Sequence, residues 1–521
     1  MTESNSTNRD FDLIIKNGLV YDGTLSDPVK ADIGVNGDKI EFVGNISGGA
    51  GKIIDATGHI VTPGFIDVHT HCDSTFSILG NRLDRLNELP GVKGNHNYLY
   101  QGVTTVVSGN CGDGYSDLNR WFDVLDKIQF GTNVYHLAPH GAIRAEVFGE
   151  DQPLELNPKQ MDAMKKRVAE EMEKGAIGMS SGLIYAPGLL ANNQEFIELN
   201  KVVSEYNRIY TTHMRSESGE IGEDGLSGFE KAFNDTILVA REAEVPVEIS
   251  HLKLTVPLEK SQAGMVLELI EKARADGLQI TADQYPYDAG SSHLAIFMPN
   301  YMKSQTGIKE QYKKPEARDE LRKAIKAEFS ILPPEKTLVT IYTERKDLEG
   351  KNIQEIAELE GKDPIEVYAD MLCEKRAPTG VFFSQDMDVV RKLMPAEYVM
   401  TGSDGWTIPF GRTVPHPRTY GTFPTKIKKY ALEDKLLPLN QAIYSMTGLP
   451  AEAFKMKSRG RIENGAYADI AVINLDKLED NSTYIDPHHY AKGVNFLLVN
   501  GSLAIDNGKA TQTESGRALR M

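Results

Sequence analysis

The stretch GFIDVHTHCDS at residues 64–74 decides the fold that this sequence predicts, because a short apolar strand runs directly into two histidines. Alternate side chains of an extended chain point to the same side. We therefore expect His69 and His71 to project together at the end of that strand. A single histidine in such a place is usually a hydrogen-bonded structural residue, so the rest of the chain must show whether the pair has partners.

The middle of the chain, residues 63–455, alternates strand and helix patterns. Eight candidate strands can be drawn, with the sequences FIDVHTH, TTVVSGN, NVYHLAPH, AIGMSS, IYTTHMR, VEISHLK, QITADQY and YVMTGSDG. Helical stretches between them, such as PKQMDAMKKRVAEEMEKG, end in a basic residue followed by glycine, which is a helix-stop signal. Eight strands with intervening helices predict an α/β fold of the (β/α)8 TIM-barrel type, although FFSQD near residue 382 leaves a ninth strand open.

Both ends of the chain have a different texture from the middle. Residues 9–62 and 456–517 contain short apolar runs separated by NG and GD turns, which are hairpin signals. We expect these two segments to build one small β-sandwich domain beside the barrel. A charged, proline-bearing segment at about residues 300–378 predicts a helical insertion after the seventh barrel strand.

Composition limits the class of protein. A chain of 521 residues suits one large catalytic domain with a satellite. Its net charge of −17 argues against nucleic acid and anionic membranes as partners. We find no signal-peptide pattern and no run of about 18 apolar residues. Three cysteines among 521 residues suggest a reducing compartment, so a cytoplasmic enzyme is expected, with its oligomeric state left open.

Polar residues recur where the predicted barrel strands end. They are His69 and His71 after the first strand, Cys111 after the second, His213 after the fifth, His251 after the sixth and Asp404 after the eighth. The carboxyl ends of barrel strands meet on one face, where active sites lie. Imidazole, thiolate and carboxylate are the ligands that Zn²⁺ takes in proteins. Any one of these residues could be structural, but the set predicts a zinc site.

The motifs GFIDVHTH, SGNCG, GAIGMSSGLIYAPG, THMRSE, ISHLK, ADQYPYDAG, GSDG and HPRTYGTFP occur in this order along nearly the whole chain. Together they resemble the D-aminoacylase (N-acyl-D-amino-acid deacylase) family of the amidohydrolase superfamily. The resemblance implies a zinc-dependent hydrolase that splits the amide bond of N-acyl-D-amino acids into a D-amino acid and a carboxylate. Selectivity for the D configuration comes from the resemblance alone.

The resemblance also implies how the metal ligands divide. In that family a cysteine takes the place of the carbamylated lysine that bridges two metals in hydantoinases and dihydroorotases. Carried over to this sequence, Cys111, His213 and His251 hold a tightly bound zinc. His69 and His71, with the cysteine as a bridge, form a second and weaker site. Whether one metal or two are bound stays open.

Catalysis and substrate binding need further residues. Asp404 is expected to take a proton from the attacking water and return it to the departing nitrogen. The resemblance places Tyr185, Lys253 and Arg418 around the carboxylate of the substrate, and a guanidinium can bind a carboxylate through two hydrogen bonds. Tyr287, in the DQYPY segment, is a fourth candidate.

Other functions compete with this prediction. A cyclic amidase of the hydantoinase or dihydroorotase kind would need a bridging lysine, whereas this chain has Cys111. A D-dipeptidase, or a deacylase for acyl-D-acidic amino acids, remains open. A non-catalytic scaffold homologue would be expected to have lost ligands that are all present here. Behind the ligands, Arg215 and Glu217 are expected to form a structural ion pair.

Overall fold

A computed structural model describes residues 6–75, 88–303, 312, 314–374 and 376–521. Part of the predicted insertion, residues 304–311, 313 and 375, lies outside the described residues. None of the described helices combines the length and hydropathy needed to cross a bilayer.

A ring of eight parallel strands forms the centre of the described chain. The strands are Phe65–Asp67, Val103–Ser108, Asn133–His136 continued at Ala138–Pro139, Gly178–Gly182, Ile209–His213, Val247–Ile249, Ile280–Gln284 and Val399–Thr401. Parallel ladders join each strand to the next along the chain. The ring closes where Thr70–His71 pairs with Gly405–Trp406, just beyond the first and eighth strands. The predicted (β/α)8 barrel is therefore confirmed.

Helices follow the strands of this ring and continue into the C-terminal segment. They are Pro90–Lys93, His96–Leu99, Leu118–Ile128, His140–Phe148, Pro158–Lys174, Asn193–Glu205, Gly228–Glu242, Gln262–Ala275, Met387–Leu393, Arg418–Thr425 with its π-helical continuation Lys426–Glu433, Leu439–Tyr444 and Gly448–Ala453, together with the 3-10 turns Gly188–Leu190 and Leu475–Lys477.

The helix Pro158–Lys174 shows how the sequence sets these boundaries. Asn157 accepts a hydrogen bond from the backbone of Gln160, and the Gln160 side chain bonds back to the backbone of Asn157. This reciprocal cap satisfies the free N–H groups at the start of the helix. Gly175 ends the helix in the left-handed conformation, at φ 106°. Every fourth residue faces the barrel and is buried, as seen at Met164, Val168 and Met172.

The described parts of the two end segments contribute strands to one ten-stranded sheet. Its strands are Ser6–Thr7, Phe11–Val20, Val29–Asn36, Lys39–Ile46, Ala50–Asp55 and Ile60–Pro63 from the first segment, and Ile470–Ile473, Val494–Val499, Ser502–Asp506 and Lys509–Ala510 from the last. The two segments join where Ile60–Pro63 pairs antiparallel with Ile470–Ile473. The sheet forks along Phe11–Val20, which pairs first with Ala50–Asp55 and then with Ile60–Pro63. Apolar side chains from both branches pack in one cluster.

An insertion separates the seventh and eighth barrel strands. Its helices are Leu294–Phe297, Asn300–Lys303, Pro315–Ile331, Pro334–Lys336, Lys346–Leu348, Ile353–Glu360 and Pro364–Leu372. It also contains an antiparallel sheet of Gly290–His293, Thr379–Phe382 and Thr337–Ile341, with Thr379–Phe382 in the centre. The ninth candidate strand, FFSQD, begins at Phe382, the last residue of the central strand of this separate sheet, so it adds no strand to the barrel. The insertion buries an apolar cluster of its own.

Candidate metal centre

The six strand-end residues singled out in the sequence converge on one face of the barrel. Their candidate ligand atoms form three overlapping groups, and within each group all atoms lie within 4.8 Å of one another. The groups are His69 with His71 and Cys111, Cys111 with His213 and His251, and His69 with His251 and Asp404. The sequence therefore identified residues that the fold does bring together.

Cys111 lies between two sets of histidines. Its Sγ is 3.4 Å from Nε2 of His69 and 3.7 Å from Nε2 of His251. The latter nitrogen is 3.0 Å from Nδ1 of His213. The other nitrogen of the His213 ring, Nε2, is buried and has no hydrogen-bond partner among the described residues. A sulfur shared between two imidazole sets suits a pair of adjacent metal ions.

The protonation of these groups also fits a metal ion. Burial lowers the pKa of His213 and of His251 well below 6.5, so both rings are neutral and can offer a lone pair. Burial raises the pKa of the Cys111 thiol well above its usual value. A buried thiolate needs a positive charge beside it, and a divalent cation supplies that charge. The donor set therefore fits zinc.

Three of the six residues have a left-handed backbone. Their φ angles are 55° at Cys111, 41° at His251 and 51° at Asp404. Residues with a Cβ adopt this conformation at a cost of about 1–2 kcal/mol each. Such strain is typical of functional sites, where it aims a side chain that a relaxed strand end would direct elsewhere.

Asp283, at the end of the seventh strand, orients His69. Its Oδ2 accepts a hydrogen bond from Nδ1 of His69 at 3.0 Å, which leaves Nε2 facing the centre. Burial opposes ionisation of Asp283, but the contact with His69 outweighs it and lowers the pKa of Asp283. Neighbouring Glu248 has its pKa raised well above normal by burial and by Asp283. Asp283 was not among the residues predicted from the sequence, although its position at a strand end could have marked it as a candidate.

Lys253 and Glu217 lie behind His251. The Lys253 Nζ donates to Glu217 Oε1 at 2.7 Å, and Nδ1 of His251 lies 3.0 Å from the same oxygen and can donate to it, which leaves the lone pair on Nε2 of His251. The expected ion pair of Arg215 with Glu217 is wrong, because Glu217 pairs with Lys253. Arg215 instead lies 3.5 Å from Asp235, in the following helix.

Asp404 stands between the histidines and a buried arginine. Its Oδ1 lies 3.2 Å from Nε2 of His71, and its Oδ2 lies 2.8 Å from Nη1 of Arg418. Burial opposes ionisation of Asp404, but the guanidinium charge of Arg418 and the contacts with the histidines outweigh it and hold the pKa of Asp404 well below 3.8. The guanidinium of Arg418 stacks 4.7 Å from the ring centre of Tyr285. Asp404 is therefore an ionised carboxylate aimed at the centre.

A cavity of about 1210 Å³ opens above these residues. Tyr185, Lys253 and Arg418 line it, as the substrate-binding prediction requires. Tyr287 is not among its lining residues, because its hydroxyl donates to Asp480 at 3.2 Å, in the C-terminal segment. Tyr285, the first tyrosine of the DQYPY segment, lines the cavity instead.

A (β/α)8 barrel that gathers histidines, a cysteine and an aspartate at its strand ends is typical of metal-dependent hydrolases. The chain belongs to the amidohydrolase family, whose sequence model matches residues 52–219 and 215–503.

Full-length relatives narrow this class. The chain is 30% identical to the D-aminoacylase of Alcaligenes xylosoxydans xylosoxydans over an alignment of 541 residues. This alignment covers 99% of each protein. The structure also resembles that of the N-acyl-D-glutamate deacylase of Bordetella bronchiseptica, which was solved with zinc and a phosphonate mimic of the tetrahedral intermediate. The TM-score is 0.81 at 27% sequence identity, and the match covers 98% of this chain and 100% of the deacylase chain. A D-aminoacylase solved in a study of its binuclear metal centre gives a TM-score of 0.79 at 28% identity, with the same coverage. The predicted resemblance to the D-aminoacylase family is confirmed.

Proposed function

We propose that this chain is a zinc-dependent amidohydrolase that hydrolyses the amide bond of N-acyl-D-amino acids. The observation that carries the proposal is the strand-end cluster of imidazole, thiol and carboxylate groups facing a cavity with two buried cations, Lys253 and Arg418. Similarity over the full length to a D-aminoacylase and to an N-acyl-D-glutamate deacylase supports the substrate class and its D configuration.

Cys111, His213 and His251 would hold the tightly bound zinc, and His69 and His71 would hold a weaker second ion. When bound, zinc supplies a Lewis acid that lowers the pKa of water and polarises a carbonyl. One of the similar D-aminoacylases is described as showing one-metal activation and second-metal attenuation. The same division is proposed here because Cys111 is the residue common to both sets.

Asp404 would move the proton. It is ionised and its Oδ1 faces the histidines, so it can accept a proton from water. An amine leaves the tetrahedral carbon readily only when its nitrogen is protonated. Asp404 would therefore hand the proton to that nitrogen, acting first as a base and then as an acid.

Lys253 and Arg418 would bind the carboxylate of the substrate. Each already contacts one internal carboxylate, Glu217 or Asp404. An ammonium has three N–H donors and a guanidinium has five, so both retain donors for a ligand. Tyr185, whose hydroxyl lies 3.4 Å from Ser292 Oγ, adds a donor at the cavity wall. Hydantoin and dihydrouracil have no free carboxylate for these groups, which favours a linear N-acyl amino acid over these cyclic amides.

We also propose a cytoplasmic location, which suits a chain of 521 residues with three cysteines. The function is tested with purified, zinc-loaded protein and a panel of paired N-acetyl-D- and N-acetyl-L-amino acids, hydantoin and dihydrouracil. Hydrolysis of the D substrates alone is expected. Turnover of the cyclic amides, or of nothing in the panel, would contradict the proposal.

A matched pair of histidine variants links the activity to the proposed centre. His213→Ala removes a candidate ligand, whereas His489→Ala removes an exposed ring that contacts Asp486 on the surface. We expect zinc content and turnover to fall in the first variant and to stay at wild-type values in the second. Equal behaviour of the two variants would contradict the proposed centre.

A further inference from the structure

The cavity above the candidate metal centre continues beneath the insertion. We call this part the insertion arm, and its walls include Ile296, Phe297, Ala324, Ala327, Glu328 and Ile331. The last four lie at spacings of three, four and seven residues along the helix Pro315–Ile331, so they share one face of that helix. An entire helix face thus lines the arm.

The cavity as a whole is larger than a small acyl amino acid needs, and five of the six residues named in the walls of the arm are apolar. A pocket of about 300–1,000 Å³ holds a drug-sized ligand, and the whole cavity is about 1210 Å³. Ile331 is 43% exposed although it lines the cavity. Apolar surface left open in a cavity favours an apolar ligand, because burying it removes contact with water.

One carboxyl group interrupts the apolar wall. Glu328 is only 6% exposed, and its Oε2 is buried without a hydrogen-bond partner among the described residues. Its Oε1 lies 2.9 Å from the hydroxyl of Tyr368, which is also 2.6 Å from the carbonyl oxygen of Leu294. The single proton of that hydroxyl can serve only one of these two acceptors.

A neutral Glu328 resolves the contact. Burial raises the pKa of Glu328 to about 8. The protonated carboxyl can donate through Oε1 to the Tyr368 oxygen, while Tyr368 donates to Leu294. This arrangement leaves Oε2 as a carbonyl-type acceptor without a donor among the described residues, on a side chain that lines the arm. A buried acceptor without a donor is unfavourable, so a ligand that supplies a donor there gains affinity.

We propose that the insertion arm binds a long apolar substituent of the substrate and that Glu328 accepts a hydrogen bond from a neutral donor, a hydroxyl or an amide N–H, at the far end of that substituent. The inference rests on the proposed function, because the substituent belongs to an N-acyl-D-amino acid. Lys303 lines the same cavity, and its charge disfavours a cationic terminus. The long apolar substituent with a hydroxyl or amide N–H at its far end can be either the acyl chain or the side chain of the amino acid.

Two substrate series separate these sources. The first varies the acyl group on D-alanine from acetyl to hexanoyl and 6-hydroxyhexanoyl. The second keeps the acetyl group and compares D-alanine, D-norleucine and 6-hydroxy-D-norleucine. In the series whose substituent enters the arm, kcat/KM is expected to rise about fourfold for each methylene that leaves water. The terminal hydroxyl is expected to preserve that gain.

Variants of Glu328 test the acceptor. Glu328→Met removes the acceptor and keeps an unbranched chain, and we expect the ratio of kcat/KM for the hydroxylated over the methyl-terminated substrate to fall about tenfold. Glu328→Gln can donate to Tyr368 and still present a carbonyl oxygen, so the ratio should return to the wild-type value. Glu316→Gln, at an exposed position of the same helix, is the matched control. Because each ratio is measured within one variant, partial loss of folding does not change it.

The outcomes are distinguishable from failure of the proposed function. If N-acetyl-D-alanine is hydrolysed but neither series depends on chain length, the arm does not bind the substituent and the inference is overturned. If chain length matters and Glu328→Met leaves the ratio unchanged, the role of Glu328 is overturned. Absence of turnover for every N-acyl-D-amino acid would overturn the proposed function itself.

Discussion

Replacing Asp404 by asparagine is the sharpest test of the proposed chemistry. The amide has nearly the shape of the carboxylate but cannot accept the proton from water at neutral pH. Removing a general base lowers turnover by about 10²–10⁴-fold, which corresponds to roughly 3–5 kcal/mol in the activation barrier. We expect kcat to fall by this amount, with a smaller effect on KM.

The same change should also lower stability. Arg418 is buried and lies 2.8 Å from Asp404 Oδ2, so the variant removes the charge that balances the guanidinium. Breaking a buried ion pair by removing one partner costs about 3–5 kcal/mol. The asparagine oxygen can still face Arg418, so we expect a loss towards the lower end of this range. Kinetics should be measured well below the unfolding temperature of the variant.

The assay combines kcat on an N-acetyl-D-amino acid with the zinc content per chain. Asp113→Asn is a suitable control, since Asp113 also lines the cavity but is exposed and lies outside the candidate ligand groups. A variant at position 404 that keeps its zinc and turns over within tenfold of wild type would refute the proton-transfer role. Loss of the tight zinc would instead assign Asp404 to metal binding.

Three other variants test contacts in and around the centre. Cys111→Ala removes the sulfur common to two candidate ligand groups, so zinc content measured by mass spectrometry should fall below one ion per chain; full zinc retention would contradict the assignment. Arg418→Ala should raise KM more than tenfold for a substrate with a free α-carboxylate and much less for the carboxamide analogue of that substrate. Equal effects on the two substrates would contradict the proposal that Arg418 binds the carboxylate. Lys426 is buried with two hydroxyl acceptors, and burial lowers its pKa to about 7, far below about 10.4 in an unfolded chain. Between these two pKa values the unfolded chain binds one more proton than the folded chain, so the contribution of Lys426 makes the free energy of unfolding of the wild type rise with pH. Lys426→Met should remove this contribution and should stabilise the protein most at pH 7 and below. Denaturant unfolding at several pH values measures both effects.

Much of the centre is predictable because strand ends obey simple geometry. Side chains alternate along a strand, and the carboxyl ends of parallel strands meet on one face. These two rules, with the count of eight strands, were enough to bring His69, Cys111 and His251 together. They use only local sequence and the closure of the ring.

Contacts that depend on loops were beyond these rules. Tyr285 and Tyr287 have the same parity, so alternation cannot choose between them, and the turn at Pro286 sends only Tyr285 to the cavity. Glu217 took Lys253 as its partner rather than its sequence neighbour Arg215, because the ends of the fifth and sixth strands lie side by side. The sheet of the insertion likewise pairs Gly290–His293 with Thr379–Phe382, far apart in sequence.

Strain and metal binding are connected at this centre. Cys111, His251 and Asp404 keep side chains in a backbone conformation that glycine would adopt more easily, at a combined cost of about 3–6 kcal/mol. Glycine would relieve the strain and remove the ligand or the base. Structural zinc binding contributes about 10–16 kcal/mol in small zinc domains, which is enough to offset such strain. The fold can therefore hold these three residues in an unfavourable conformation because a zinc ion held by Cys111 and His251 would stabilise the result.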